Sequence, residues 1–185
     1  KPGGWAFEFH NSQYPDIDDA AEVIMALNLA HLSPEAEVRK KEAIDRGVNW
    51  LLGLQSKNGG WASFDKDNDR RYMAQLPFSD FGELIDPPSV DVTAHVLEML
   101  GTVGYAQDFP AVRRGLEYIK HQQELDGPWF GRWGVNYIYG TGAVLPALKA
   151  VGEDMSQPYV QSAVDWLLNH QNEDGGWGES CASYA

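Results

Sequence analysis

Three carboxylates stand within four positions at the start of an apolar segment, in the stretch "DIDDAAEVIMAL" from Asp16 to Leu27. Burial and a neighbouring like charge can raise a carboxyl pKa by several units, whereas the positive end of a helix changes it by less than one. In a dry site, at least one of Asp16, Asp18 and Asp19 therefore keeps its proton at neutral pH. A carboxyl group in this state is a general acid.

The same acids have two other interpretations. In the structural one, Asp19 is the N-cap of a helix and Glu22 its capping-box partner, while Asp16 and Asp18 favour the positive end of the helix dipole. In the other, D-x-D-D offers oxygen ligands to a metal ion. The metal interpretation is the weaker one, because Mg²⁺ usually bridges to substrate phosphates and the chain has no basic cluster to hold them. We therefore predict no metal.

His95 is the predicted partner of the acids. It lies early in a second helical segment, four residues after Asp91, so that Asp91 and His95 share one face. The local alternatives are an Asp91–His95 ion pair or a core histidine. If the starts of such helices open onto one cavity, His95 instead reaches a carboxylate of the acid cluster and, as a cation, makes the remaining proton more acidic.

A repeat positions these elements. Each copy has an aromatic residue five positions before a Gln, and Gly-x-Trp follows that Gln after three intervening residues. The copies are Trp50–Gln55–Trp61, Tyr118–Gln123–Trp129 and Trp166–Gln171–Trp177. Each reads as a helix followed by a tight turn, in which the Gln bonds the backbone near the next helix and the Trp covers the junction.

A more uniformly apolar segment precedes each copy of the repeat, at 18–31, 89–104 and 140–152. These segments are typical of inner helices, so we predict six helices in three pairs and an all-α fold. The expected architecture is an αα-barrel (alpha/alpha toroid) of which six helices form about half a ring. Residues 1–185 are accordingly predicted to be a single partial domain of a longer chain.

Composition excludes several function classes. The 185 residues carry a formal net charge of -13, which argues against a nucleic-acid partner. A single cysteine, Cys181, excludes a disulfide framework and a cysteine-based zinc site. No run of about 18 apolar residues is present, so no membrane-spanning helix is predicted.

Aromatic residues make up 12% of the chain, and several are predicted in loops before inner helices. Trp61, Trp129 and Trp177 are best explained as core residues at the turns. The others are predicted to wall an apolar cavity, where a well-placed ring stabilises a positive charge by roughly 2 kcal/mol. An acid beside such a cavity fits carbocation chemistry on an alkene.

Five motifs together resemble the squalene-hopene cyclase family: "DIDDAA", the Gln-to-Trp repeats, "PFSDFGE", "DPPSVDVTAHVLE" and "GRWGVNYIYGTGAV". The resemblance implies two αα-barrel domains, with this chain supplying about half of the catalytic one. It also implies protonation of a terminal alkene of squalene and cyclisation to hopene or diplopterol, without a metal or organic cofactor. The family usually has Thr where this chain has Ala20, which affects a hydrogen bond of the acid cluster.

The resemblance further implies roles for individual residues. Asp18 is the proton donor, Asp16 and Asp19 are its acidic companions, and His95 promotes its acidity. Residues expected to face the substrate or its cations, or to surround the acid, are Phe7, Trp61, Phe78, Phe81, Asp91, Trp129, Trp133 and Tyr139.

A lipid-soluble substrate implies a protein on the membrane surface, on the cytoplasmic side in a bacterium, and a homodimer is compatible with this. The chain alone is expected to be inactive, because half a ring does not exclude water from a carbocation. Two alternatives remain open. One is a related cyclase acting on another polyprene, and the other is a noncatalytic αα-repeat binding module, in which the acids would lie in solvent far from His95.

Overall fold

Six α-helices form the framework of the described residues in a computed structural model, which describes residues 3–8, 10–70 and 85–184. Isolated bridges are the only β-type pairing within those ranges, so the predicted all-α class is confirmed. The helices are α1 (Ile17–Leu29), α2 (Pro34–Gly53), α3 (Val90–Thr102), α4 (Pro110–His121), α5 (Asn136–Ala150) and α6 (Pro158–Asn169), followed by a 3-10 turn at Cys181–Tyr184.

The helices form three packed pairs, as predicted. In the inner row, α3 lies between α1 and α5 and contacts both, while α2, α4 and α6 pack on the outside of α1, α3 and α5 respectively. Each outer helix begins with a proline, whose fixed φ suits the first helical turn. The central helix α3 is the most buried, and Val92, Val96 and Leu97 have no exposed surface.

Two of the Gln-to-Trp turns join neighbouring outer helices in the predicted way. Gln55 Nε2 donates to Gly59 O at 2.8 Å and to Ala111 O, in the first turn of α4, at 2.9 Å. Arg114 donates to the Oε1 of the same Gln55. The indole N–H of Trp61 donates to Leu51 O at 2.7 Å, which covers the open end of α2.

The second turn repeats this geometry, and the third repeats half of it. Gln123 Nε2 donates to Gly127 O at 2.6 Å and to Tyr159 O, in α6, at 2.8 Å. Gln171 donates to Gly175 O at 2.7 Å, and its Nε2 makes no bond to a further helix within the described ranges. Two turns thus connect neighbouring outer helices, whereas the third bonds only the end of its own helix.

The structure adds a fourth copy of the turn, which the search for Gln missed because only the Gly-x-Trp part is present. A Cβ on Gly59 would lie 2.3 Å from Arg114 O, and a Cβ on Gly3 would lie 2.1 Å from Arg46 O. Both glycines therefore let the turn approach an outer helix backbone more closely than any side chain permits. Trp5 follows Gly3 at the offset at which Trp61 follows Gly59.

A threonine hydroxyl ties two of these turns to the inner helices. Thr93 Oγ1 accepts from the Trp61 backbone N–H at 2.9 Å, and Thr141 Oγ1 accepts from the Trp129 N–H at 3.0 Å. Thr93 lies four residues after the N-cap of α3, and the residue at that offset in α1 is Ala20. The Trp5 turn therefore lacks this bond.

The start of α5 differs from the prediction. We expected the inner segment to begin at Gly140, but α5 begins at Asn136. Asn136 is fully buried, and its Nδ2 donates to Gly131 O at 2.6 Å and to Gly134 O at 2.9 Å, which secures the chain before the helix. Tyr137 and Tyr139 consequently lie on the helix and not in the loop before it.

None of the helices in the described part of the chain has both the length and the apolar character needed to cross a membrane.

Candidate active site

The acid cluster begins at the N-cap of α1, and that residue is Asp16. Its Oδ1 accepts from the Asp18 N–H at 2.7 Å and from the Asp19 N–H at 3.1 Å. The capping-box prediction, with Asp19 as N-cap and Glu22 as its partner, is therefore wrong. Asp16 immediately precedes the helix and has an extended backbone, whereas Asp18 and Asp19 lie within its first turn. The carboxylate of Asp16 therefore accepts from the free amides of that turn.

Two loops clamp the start of this helix. The Asp16 N–H donates to Trp5 O, and the Ile17 N–H donates to Ser63 O, both at 2.8 Å. Loops that each follow a Gly-x-Trp turn thus fix the position and direction of the acid-bearing helical turn.

His95 meets the acid cluster across the interface between α1 and α3. Its Nδ1 lies 2.6 Å from Asp18 Oδ1 and 3.9 Å from Glu22 Oε1. The side chain of His95 is 17% exposed and that of Asp18 is 30% exposed. The alternative of an Asp91–His95 ion pair is wrong, because the carboxylate of Asp91 bonds elsewhere and His95 pairs with α1.

Asp91 supports the opposite wall of the site. Its Oδ2 accepts from the Trp133 backbone N–H at 2.8 Å, and its Oδ1 is buried without a hydrogen-bond partner. The residue is almost completely buried. Asp91 thus fixes the chain next to Trp133 and keeps a negative group near His95.

The surroundings raise several pKa values in this cluster. Burial raises the pKa of Asp16 to about 6, and the charges of Asp19 and Asp18 act in the same direction, against the two backbone N–H bonds. Burial and the charge of Asp18 also raise the pKa of Asp19. Burial raises the pKa of Glu22 despite the opposing effect of His95. Asp16, Asp19 and Glu22 therefore hold protons more tightly than isolated carboxyl groups would.

The pKa of His95 is also raised. Burial acts to lower it, but the hydrogen bond and charge of Asp18, with the charges of Glu22 and Asp91, outweigh burial. The imidazolium form is thus favoured, and it donates its Nδ1–H to Asp18 Oδ1.

A cavity of about 370 Å³ opens directly in front of the acids. Three aromatic rings and one hydroxyl complete its wall, and its lining is Phe7, Asp16, Asp18, Asp19, Ser63, Phe64 and Trp133. Phe7 is 78% exposed and Trp133 is 55% exposed, so one side of this acid cavity is open. The structure thus brings the predicted Phe7 and Trp133 to the acids.

Tyr139 lies on the other side of His95. The two rings meet edge-on with centroids 6.4 Å apart, and Tyr139 lines a second hollow of about 440 Å³ together with Glu22 and Glu98. Burial and the nearby carboxylates raise the pKa of Tyr139, so it stays a phenol. His95 therefore separates the acid cavity from a hollow lined by a phenol and two carboxylates.

Other predicted residues do not line the acid cavity. Trp61 and Trp129 have no exposed surface and donate their indole N–H groups to Leu51 O and Ile119 O, in agreement with the core alternative. Phe78 and Phe81 lie outside the described residues.

Sequence reasoning missed Ser63 and Phe64. Both lie in the loop after Trp61. The sequence feature that could have revealed them is their position two and three residues after the Trp of a repeat. Trp5 and Phe7 have the same offset of two, so comparison of the repeats points to residue 63 as a wall position.

A larger hollow of about 660 Å³ lies away from the acids, between α1, α2 and the end of α3. Its charged lining comes mainly from α2 and includes Lys40, Lys41 and Asp45. The lining of this hollow includes no histidine and only one aromatic residue. We therefore place the site at the acid cavity. Across the described ranges, no three His, Cys, Asp or Glu side chains are arranged to hold a metal ion.

Known proteins resemble this chain along its whole length. The family model for the squalene-hopene cyclase C-terminal domain matches residues 1–185. The squalene-hopene cyclase of Alicyclobacillus acidocaldarius is 56% identical over 184 residues, which cover 100% of this chain and 29% of that protein. The dammaradiene synthase of Dryopteris crassirhizoma is 44% identical over 96% of this chain and 28% of its own length.

Solved structures resemble the fold. The type II terpene cyclase MstE from Scytonema superposes with a TM-score of 0.65 at 22% identity, covering 97% of this chain and 47% of that chain. Its complex with geranylgeranyl dihydroxybenzoate gives a TM-score of 0.67. These neighbours confirm the αα-toroid type of fold, of which the three helix pairs form a part.

The chain spans less than a third of the length of the curated relatives it matches. With a family model that covers every residue, and with an acid-bearing inner helix paired to a histidine within an αα-toroid fold, the chain belongs to the squalene-hopene cyclase C-terminal domain family.

Proposed function

We propose that this chain forms part of the active site of an enzyme that cyclises squalene, and that Asp18 is the acid that starts the reaction. The observation that carries the proposal is the 2.6 Å contact between Asp18 Oδ1 and His95 Nδ1 at the wall of the acid cavity. Since the relatives are much longer, the activity is proposed for the whole protein.

The chemistry begins with a proton transfer. The carboxyl O–H of Asp18 gives its proton to the inner CH carbon of a terminal double bond, whose π electrons form the new C–H bond. The neighbouring carbon becomes a tertiary cation, and the next double bonds donate their electron pairs in turn to form ring C–C bonds. The last cation loses a proton to give an isomer of the substrate, or captures water to give an alcohol.

The surroundings of Asp18 suit this first step. An alkene is a weak base, so the donor must leave a stabilised carboxylate. The imidazolium of His95 supplies that stabilisation through a charge-assisted hydrogen bond. Asp16, whose pKa is about 6, adds no second full negative charge when it is protonated.

The rings of the cavity suit the later steps. Phe7, Phe64 and Trp133 present π-systems without a nucleophile. Each well-placed ring stabilises a desolvated cation by roughly 2 kcal/mol, about thirtyfold in rate if the contact is made only in the transition state. Water near the cation would instead end the cascade early, so the open side of the cavity needs a cover.

The 56% identity to the squalene-hopene cyclase of Alicyclobacillus acidocaldarius supports squalene as the substrate. The similarity to a dammaradiene synthase makes a related product the main alternative. A water-insoluble substrate also supports attachment to a membrane surface, which co-sedimentation of the full-length protein with phospholipid vesicles tests.

The decisive experiment compares Asp18→Asn with Asp154→Asn in the full-length protein. Asp154 carries an exposed carboxylate in the turn before α6 and is a matched control for the substitution. We expect Asp18→Asn to lose at least 10²-fold in squalene turnover, because an amide does not act as the acid, while Asp154→Asn stays active. Products are identified by gas chromatography and mass spectrometry. Turnover that survives in Asp18→Asn would exclude Asp18 as the donor.

A further inference from the structure

A buried carboxylate just before α3 has no part in the proton transfer described above. Asp86 is 8% exposed, and both its oxygens accept backbone hydrogen bonds. Oδ1 accepts from the Ser63 N–H at 3.3 Å, and Oδ2 accepts from the N–H groups of Phe64 at 2.6 Å and Asp65 at 2.9 Å. One side chain thus orders three consecutive residues of a loop.

That loop forms part of the wall of the acid cavity and also fixes the start of α1. Ser63 and Phe64 both line the cavity. Ser63 O also accepts from the Ile17 N–H at the start of the acid-bearing helix. Any movement of the loop therefore displaces a ring of the wall and loosens the turn that carries Asp18.

Asp86 also reaches the opposite wall. Arg132 Nη1 lies 3.6 Å from Asp86 Oδ1 and has no hydrogen-bond partner of its own. The guanidinium of Arg132 lies over the ring of Trp133, 5.1 Å from its centroid, and Trp133 lines the cavity. Asp86 therefore links the Phe64 ring, through backbone bonds, to the Trp133 ring, through an arginine.

We propose that Asp86 is a positioning residue for cyclisation, which holds the Phe64 and Trp133 sides of the acid cavity in register. This inference rests on the proposed function. Asp86 transfers no proton and touches no reacting atom. Its role is to keep two rings at fixed distances around the developing cation, so that ring closure is faster than capture by water.

The substitution Asp86→Asn tests this role, because an amide has one acceptor oxygen while its NH₂ group faces N–H donors that need an acceptor. The control is Asp154→Asn, where a carboxylate also accepts bonds in a turn but lies far from the cavity. Both variants are made in the full-length protein. Helix content is checked first by circular dichroism, and Asp86→Ser serves as a smaller polar replacement if Asp86→Asn does not fold.

Two readouts are needed. The first is amide hydrogen exchange of the peptide covering residues 63–65, without substrate. We expect exchange there to be roughly tenfold faster in Asp86→Asn, since losing one hydrogen bond to a carboxylate costs about that factor or more. The second is the product mixture from squalene at equal conversion. We expect a larger share of incompletely cyclised or water-trapped products, together with a lower kcat.

The outcomes separate the two proposals. Unchanged exchange at residues 63–65 would overturn the link between Asp86 and the loop. Faster exchange with the wild-type product mixture would reduce Asp86 to a purely structural residue and would also overturn the inference. If the unmodified protein forms no cyclised product at all, the proposed function fails, while the exchange measurement still decides whether Asp86 orders the loop.

Discussion

Replacing Asp16 with Asn is expected to stabilise the protein at alkaline pH. Asp16 is 8% exposed, and burial raises its pKa from 3.8 to about 6. The native state thus holds this proton more tightly than the unfolded chain does. Its contribution to stability is fully present below pH 3.8 and is lost as the pH rises through about 6.

A rise in pKa of this size corresponds to about 3 kcal/mol when the carboxyl is ionised in the folded state. Because the cavity in front of Asp16 is open on one side, we discount this to about 1–3 kcal/mol. Asn is as good an N-cap as Asp, and its Oδ1 is able to accept the same two N–H groups. The variant therefore removes the charge and keeps the cap.

The assay is urea unfolding followed by circular dichroism at pH 8 and at pH 4. We expect Asp16→Asn to gain about 1–3 kcal/mol at pH 8 and less than about 1 kcal/mol at pH 4, where the native wild-type carboxyl is already protonated. Asp154→Asn is the control, because hydrogen bonds from Ser156 lower the pKa of Asp154 and the same change brings no gain at pH 8. An equal gain at both pH values, or a loss at both, would refute the reasoning.

The remaining predictions concern His95 and the threonine bonds of the Trp turns. His95→Gln keeps a donor near Asp18 but removes the cation, so turnover should fall by about 10²–10⁴-fold. In the unmodified protein, whose raised His95 pKa preserves the imidazolium to higher pH, activity should fall as the pH rises through that pKa. An activity profile without this alkaline limb would contradict the role. Ala20→Thr should add the missing hydroxyl for the Trp5 N–H and stabilise by about 0.5–1.5 kcal/mol. Thr93→Ala should lower the free energy of unfolding by about 1–3 kcal/mol in the same assay. If both substitutions stabilise or both destabilise the protein, Ala20 does not occupy the position equivalent to Thr93.

Local patterns in the sequence were enough to predict the helix pairs and their turns. The Gln and Trp of each repeat act within a few residues of the helix end that they close, so spacing alone reveals them. The closeness of Asp18 and His95 also followed from the repeat, because the first turns of adjacent inner helices lie on one side of the row.

Other features depend on contacts between distant segments. Asp16 rather than Asp19 became the N-cap because Trp5 O and Ser63 O fix where α1 begins. The early start of α5 depends on the buried amide of Asn136 bonding the loop before it. Asp86 opens the motif "DPPSVDVTAHVLE", but the sequence does not reveal its role, since its three N–H donors lie more than 20 residues away.

The sequence by itself therefore determined which groups are available for the chemistry and which helices carry them, because helix periodicity, turns and caps are set by near neighbours. Only the tertiary structure decided how the acids are protonated and which rings surround them. A carboxyl pKa depends on burial and on charges from other helices, and the acid cavity exists only where the loop after Trp61, the start of α1 and the segment before α5 meet.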